Sequence, residues 1–265
     1  MTIARKATDI ILLKAYRAGS ILWVAKEARS KSSKRVDSFQ PESLLKSDQL
    51  GRIERGHSSD GDAGKLALSR RQVAGAWWWL RPLARLLLRR EGRALRQLDS
   101  LPGIPGFVQE TRGSLTRTWV AGEPMQIAQP NNPAYFEEAR RLLTRMHRMG
   151  VAHNDTAKEP NWLVRENGMP GLVDFQLAVL SKHRGKVFRI LAREDLRHLL
   201  KHKRTYCPRF LTEREMQILK TPSLLSRIWM STGKKVYWLI TRKIFGWKDR
   251  EGAGDRGGNP PTQNS

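Results

Sequence analysis

Three oxygen-bearing side chains stand at spacings that suit one kind of chemistry. The stretch 146–180 carries His153-Asn154-Asp155, then Asn161, then Asp174-Phe175-Gln176. Phosphoryl transfer from a nucleotide needs a carboxylate to orient the attacking hydroxyl, and hard oxygen ligands that hold Mg²⁺ on the phosphates. Asp155 has the type for the first task; Asn161 and Asp174 have it for the second. Singly, each Asp reads as an ordinary turn or cap carboxylate, and His153 as a loop histidine with satisfied hydrogen bonds. The set becomes informative through what lies between its members: the apolar piece Trp162-Leu163-Val164, the turn residues Asn167-Gly168, and a second strand piece ending at Asp174. A hairpin between Leu163 and Val173 returns Asp174 to the loop that bears Asp155 and Asn161.

The elements that must position this loop lie on both sides of it. Residues 133–149 read as a helix, because Phe136, Ala139, Leu143, Met146 and Met149 keep near-helical spacing and Gly150 follows as terminator. Residues 107–110 and 114–120 read as strands around Arg112-Gly113. A Trp-, Leu- and Arg-rich helical pattern covers 76–98, with Pro82 in the first regular turn. Its Trp77-Trp78-Trp79 run fits core packing first, and an interfacial patch with the neighbouring arginines second. Between residues 50 and 68, Gly51, Gly56, Gly61 and Gly64 punctuate short apolar pieces, as in strands joined by tight turns. Beyond the hairpin, helices are expected over 189–204, 212–219 and 225–245, the middle one opened by Thr212 and Glu215 at capping-box spacing. His198, His202 and Cys207 invite a metal site, yet read better as part of a solvated basic helix.

The whole chain of motifs resembles the protein-kinase superfamily from about residue 50 to about residue 200. His153-Asn154-Asp155 is similar to its catalytic loop, and Asp174-Phe175-Gln176 to its Asp-Phe-Gly element. The resemblance implies an α+β, two-lobed fold with a small N-lobe sheet plus helix C and a reduced helical C-lobe. It implies that Asp155 is the catalytic aspartate, that His153 props the loop, that Asn161 and Asp174 bind metal, and that Asp195 braces the loop from a following helix. Glu91 stands where the helix-C glutamate would, and Trp119-Val120-Ala121-Gly122 where the hinge would, with Val120 at the adenine. Three features depart from the pattern. Asn161 follows Asp155 by six positions, one more than the usual spacing, so an extra residue falls around Lys158-Glu159-Pro160. Gln176 replaces glycine. No G-x-G-x-x-G loop is present, and the cation facing Glu91 is Arg71 or Arg70, with Lys65 as a further choice. Size and basic surface give the nearest look to atypical bacterial members, the RIO-like serine/threonine kinases and the lipopolysaccharide core kinases that phosphorylate Kdo or heptose.

Composition sets the outer bounds. The 265 residues, 39% hydrophobic with nine Trp, suit a folded chain rather than a disordered one. They divide into a basic extension (1–43), an N-lobe (44–122), a C-lobe (123–251) and a Gly- and Pro-containing tail (252–265) expected to be disordered. Residues 1–30 read as a basic amphipathic helix, and 26–38 as a solvated linker. The single cysteine, Cys207, cannot form an intramolecular disulfide, which favours a reducing compartment. Localisation is therefore expected in the cytoplasm, with peripheral contact at the inner face of the membrane. A net charge of +24 attracts polyanions without choosing among them; no zinc finger, RNP sequence or basic zipper is present, so no specific nucleic acid is expected. The resemblance implies ATP and Mg²⁺ as cofactors and a hydroxyl acceptor on a protein or an anionic glycolipid. The competing expectation is a pseudokinase-type binding module for anionic partners.

Overall fold

In a computed structural model the described residues are 39–58, 66–99 and 101–221. Strands β1 (Phe39–Asp48) and β2 (Gly51–Ser58) form a hairpin whose turn is only Gln49-Leu50. Asp48 Oδ1 accepts from the Leu50 N–H at 2.9 Å, and Gly51 takes φ 134°, a conformation that side chains rarely adopt. A Cβ on Gly51 would also run into the Gln72 carbonyl. Strand β3 (Ala67–Gln72) continues the sheet, followed in space by β5 (Ser114–Thr118) and β4 (Phe107–Glu110), for the order β1-β2-β3-β5-β4, antiparallel throughout.

Helix α1 (Arg81–Leu98) buries Ala84, Leu88, Glu91, Ala94, Leu95 and Leu98, positions three and four apart that make one inward stripe. Pro82 stands in its first turn, where a missing N–H costs nothing. The second lobe holds β6 (Glu123–Pro124), α2 (Met125–Ala128), α3 (Pro133–Arg148), β7 (Val151–Ala152), β8 (Trp162–Val164), β9 (Pro170–Leu172), β10 (Val179–Leu180), α4 (Lys186–Tyr206) and α5 (Glu213–Lys220). Asn132 caps α3 by accepting from the Ala134 N–H, and Thr212 and Glu215 close a reciprocal capping box on α5. One core runs through both lobes: Leu88, Leu95 and Leu98 of α1, Leu115 of β5, Leu143 and Met146 of α3, Trp162, Leu172, Phe175 and Leu199. This is the expected α+β arrangement, a small sheet with one helix joined to a mainly helical lobe.

Four expectations need adjusting. The first strand begins at Phe39, so residues 39–43 pair with β2 instead of belonging to the basic extension. Helix α4 is longer than expected, from Lys186 to Tyr206. Trp77, Trp78 and Trp79 are exposed, because Val73, Ala76 and Leu80 occupy the inward positions of that turn. Helix α4 is not a solvated basic helix at its C-terminal end: His202, Lys203, Tyr206 and Cys207 are buried. The expected helices over 1–30 and 225–245, the tail, Gly61, Gly64 and Lys65 lie outside the described residues. Among the described residues no helix is long and apolar enough to cross a membrane.

Candidate active site

The loop after β7 is held from below by one carboxylate. Asp195, in the middle of α4 and 1% exposed, accepts from the His153 N–H (Oδ2, 2.8 Å), the Asn154 N–H (Oδ1, 2.9 Å) and the Thr156 hydroxyl (Oδ1, 3.2 Å). His147 Nε2 lies 3.0 Å from Oδ2 on the other side. Those donors supply what a buried charge requires and hold Asn154 at φ 62°. The His153 ring is fully engaged. Its Nδ1 accepts from the Asp155 N–H at 3.3 Å, which leaves the proton on Nε2, donated to the Val173 carbonyl at 3.0 Å. Burial pushes the His153 pKa down, against the opposing pull of Asp195 and the Val173 carbonyl. His153 is thus a neutral prop, packed edge-on against Phe175, and both its nitrogens are committed.

Asn161 joins the two halves of the site. Its amide Nδ2 donates to the Asp155 carbonyl (2.9 Å) and to Asp155 Oδ2 (3.1 Å), so its own side-chain oxygen is turned away from Asp155. Its backbone oxygen accepts from the Val173 N–H at 2.9 Å. Val173 is therefore gripped by Asn161 on one side and His153 on the other, and Asp174 is the next residue. The register Trp162↔Leu172, Leu163↔Gly171 places this junction at the end of the β8–β9 hairpin. The six-residue spacing from Asp155 to Asn161 is absorbed by a turn at Lys158 and a 3₁₀ turn over Glu159–Asn161. That turn also brings Lys158 Nζ to 3.1 Å from Asp155 Oδ2. Asp174 takes φ 66°, ψ 70°, a left-handed conformation that stores on the order of 1 kcal/mol. Gln176 sits in the following 3₁₀ turn without a positive φ, so glycine is not needed there.

Four charged side chains meet behind this loop. Arg71 Nε is 3.5 Å from Glu91 Oε2, and Arg71 Nη2 is 3.5 Å from Asp174 Oδ1. Arg117 pairs closely with Glu91 Oε1 and donates from Nε to the Ser69 hydroxyl at 3.1 Å. Strand parity explains the assembly. The register Arg71↔Leu115 and Ser69↔Arg117 sets Ser69, Arg71, Leu115 and Arg117 on the face toward α1. Arg70 necessarily falls on the other face, where it donates to the Thr116 hydroxyl at 3.1 Å and stacks over the Phe39 ring. Of the cations expected opposite Glu91, the structure brings Arg71 to the site and leaves Arg70 out of it. Arg117 was not among those expected, although the same period-two pattern through Leu115 points it inward.

The electrostatics follow from that packing. Burial works to raise the Asp174 pKa, but Arg71 and Arg117, helped by His153 and Lys158, outweigh it and hold the carboxyl below its ordinary value. Burial and the neighbouring Arg71 cation pull the Arg117 guanidinium down to about 9, with Asp174 opposing. Asp174 Oδ1, Arg71 Nε and both Glu91 oxygens are buried and make no hydrogen bond among the described residues. Both Glu91 oxygens are nonetheless taken by the two guanidinium groups, so it is Asp174 Oδ1, with its 3.5 Å contact to Arg71, that has capacity left for a ligand. Asp174 and the side-chain oxygen of Asn161 fit Mg²⁺, which takes one or two protein oxygens and completes its shell with phosphate and water. No cluster of three His, Cys, Asp or Glu forms a self-sufficient metal cage among the described residues. His202 Nε2 instead bonds the Thr156 carbonyl at 2.9 Å, and the Cys207 thiol faces the Asn131 carbonyl at 3.1 Å.

The connector between lobes runs from Trp119, whose N–H donates to Ala67 at 2.9 Å. A cavity of about 420 Å³ opens against it, lined by Gly103, Ile104, Trp119, Val120, Arg165 and Asn167. None of Arg71, Glu91, Asp155 or Asp174 lines this cavity, so it is separate from the charged site.

Comparison with known proteins bears on the fold. No protein-family model matches the sequence, and a search of curated proteins finds no match. Among solved structures, the chain is similar to the Rio2 kinase from Chaetomium thermophilum, with a TM-score of 0.54 at 15% sequence identity, over 81% of this chain and 73% of that one. The fold is that of a protein kinase in its general plan.

Proposed function

We propose that the chain is an ATP- and Mg²⁺-dependent phosphotransferase that moves the γ-phosphate to a hydroxyl. One observation carries this: the fold draws Asp155, Asn161 and Asp174, spread over 20 positions of sequence, into one site braced by Asp195. The kinase-like fold agrees with it. In this reading Asp155 accepts a hydrogen bond from the acceptor hydroxyl and takes its proton, while Asn161 holds that carboxylate in place. Asn161 and Asp174 hold the metal through their oxygens, and Arg71 turns toward phosphate oxygens. Lys158, 3.1 Å from Asp155 Oδ2, neutralises charge at the attacking end. Mg²⁺, when bound, would offset the charge on the phosphates. Val120 would meet the adenine through its backbone. The acceptor is a serine or threonine of a protein or a sugar hydroxyl of a cell-envelope glycolipid, and the setting is the cytoplasm, where ATP is found.

The test is transfer of labelled phosphate from ATP into cell-envelope and soluble-protein fractions, with identification of the labelled product. Asp155→Asn should lower transfer by about 10²–10⁴-fold, the range for a positioned acid–base group. Asp174→Ala should abolish Mg-nucleotide binding. If the purified wild-type protein binds no Mg-nucleotide and neither variant changes labelling, the proposal fails. A second reading, a pseudokinase-type module that binds without turnover, draws on the Arg71–Asp174 contact, which pairs the phosphate cation with the metal carboxylate. Turnover that disappears in Asp155→Asn excludes it.

A further inference from the structure

The catalytic reading leaves unused a ridge at the N-terminal end of α1. Trp78 is 79% exposed and Leu86 54%, and Trp77, Trp79 and Leu83 are exposed beside them. Trp77 and Trp79 lie with ring centroids 5.8 Å apart. On the helix, Pro82, Leu86, Arg89 and Arg93 recur at four, three and four positions, so they form one outward stripe. The helix carries six arginines and one acid, Glu91, which is turned inward and consumed by Arg71 and Arg117. Its outer face is therefore cationic, relieved near the C-terminal end where Arg96 pairs with Glu110 at 2.7 Å, with bulky apolar groups at the other end. Contiguous exposed apolar side chains rimmed by charge mark interaction surfaces.

Charge decides what can cover this ridge. Residues 1–38 hold nine Lys and Arg against three Asp and Glu, and residues 222–265 hold eight against three, so neither segment brings the negative charge that this face attracts. A second copy, at +24, is repelled. An anionic partner is attracted, and one that also takes up indole rings and leucines must offer an apolar layer beneath its charge. Indoles settle at the level of lipid headgroups, leucines insert below them, and arginines pair with the phosphates. We propose that Trp77–Trp79, Leu83 and Leu86, flanked by Arg81, Arg89 and Arg93, dock the protein on an anionic lipid membrane. This does not depend on catalysis, and it would bring a phosphotransferase to acceptors carried at that surface.

The experiment is flotation of the full chain with phosphatidylcholine vesicles, with and without about 30% phosphatidylglycerol. Two patch variants, Trp78→Ala/Leu86→Ala and Arg89→Glu/Arg93→Glu, are compared with Arg145→Glu/Arg148→Glu, an equal charge change on the exposed side of α3. Wild type should float with the anionic vesicles only. Both patch variants should lose at least about tenfold in partitioning, while the α3 variant loses several-fold less. All altered side chains are exposed, and unchanged thermal midpoints establish that the variants fold. Trp78→Ala alone, at the most exposed position, serves if a double variant does not. Patch variants that float like wild type overturn the proposal, as does equal flotation on neutral vesicles. Loss of binding to a single-stranded oligonucleotide with vesicle binding intact overturns it in favour of nucleic acid.

Discussion

Replacing Arg117 with Met tests the buried ion cluster at its least expected member. Glu91 is fully buried, and its two oxygens face Arg117 and Arg71, the latter at 3.5 Å and also serving Asp174 at 3.5 Å. With Arg117 gone, one cation must answer two carboxylates. Breaking a buried pair by deleting one partner costs about 3–5 kcal/mol. Here Arg71 remains, and Met removes the desolvation burden that pulls Arg117 down to about 9, so the low end, about 3 kcal/mol, is expected. For a folded unit of this size that lowers the thermal midpoint by about 6–12 °C. Thermal and urea unfolding measure it, and a double-mutant cycle with Glu91→Gln should show a coupling of at least about 1 kcal/mol. A midpoint within about 2 °C of wild type, with additive single effects, would refute the claim that Arg117 neutralises Glu91.

Asp195→Asn puts an NH₂ group where an oxygen now accepts backbone N–H donors from His153 and Asn154. It should destabilise by about 2–3 kcal/mol and lower phosphate transfer more than about tenfold; urea unfolding at wild-type stability would contradict the bracing role. The pH profile has a definite sign. Burial, reinforced by Lys201, pulls the His198 pKa to about 4, against an unfolded value of about 6.5. Between those values the unfolded chain binds more protons, so stability is fully present above about pH 6.5 and is lost as pH falls toward about 4, by up to about 3 kcal/mol. His153, also pulled down by burial, acts in the same direction. Thermal midpoints that stay level from about pH 7 to about pH 4.5, or that respond identically in His198→Gln, would count against it.

What could be read from residues alone divides along physical lines. The catalytic-loop hairpin was legible because its apolar pieces and the Asn167-Gly168 turn are local signals, and the β8–β9 register follows from them. Helices α1, α3 and α5 announced themselves through Pro82, through the Phe136-to-Met149 periodicity and through the Thr212–Glu215 box. Long-range parity was harder. Choosing Arg71 over Arg70 requires knowing which face of β3 meets α1, and that depends on pairing with β5, more than 40 residues away. Arg117 is not legible in the sequence, because a buried arginine is rare and its burial follows from Glu91 beneath it. The tryptophan run misled for a related reason: aromatic character argues for burial in general, whereas the turn at 77–80 had already assigned its inward positions to Ala76 and Leu80.

The second arginine also bears on how a site in this form can work. Arg71 and Asp174, the groups best placed for phosphate and metal, now pair with each other, and Arg71 shares Glu91 as well. A bound Mg-nucleotide must take both away from that contact: a cation for Asp174 and phosphate oxygens for Arg71. If Arg71 were the sole partner of Glu91, this exchange would strand a fully buried carboxylate, at several kcal/mol. Because Arg117 stays on Glu91, the carboxylate remains neutralised while Arg71 turns away. Either ligand alone replaces just one half of the Arg71–Asp174 contact, so metal and nucleotide should reinforce each other's binding. A module that merely held anions would have no use for that coupling, since a free arginine would serve it better. On the proposed function, the four-charge cluster would serve as an exchange device for a metal-bound phosphate, and binding of Mg²⁺ and nucleotide that shows no mutual enhancement would contradict it.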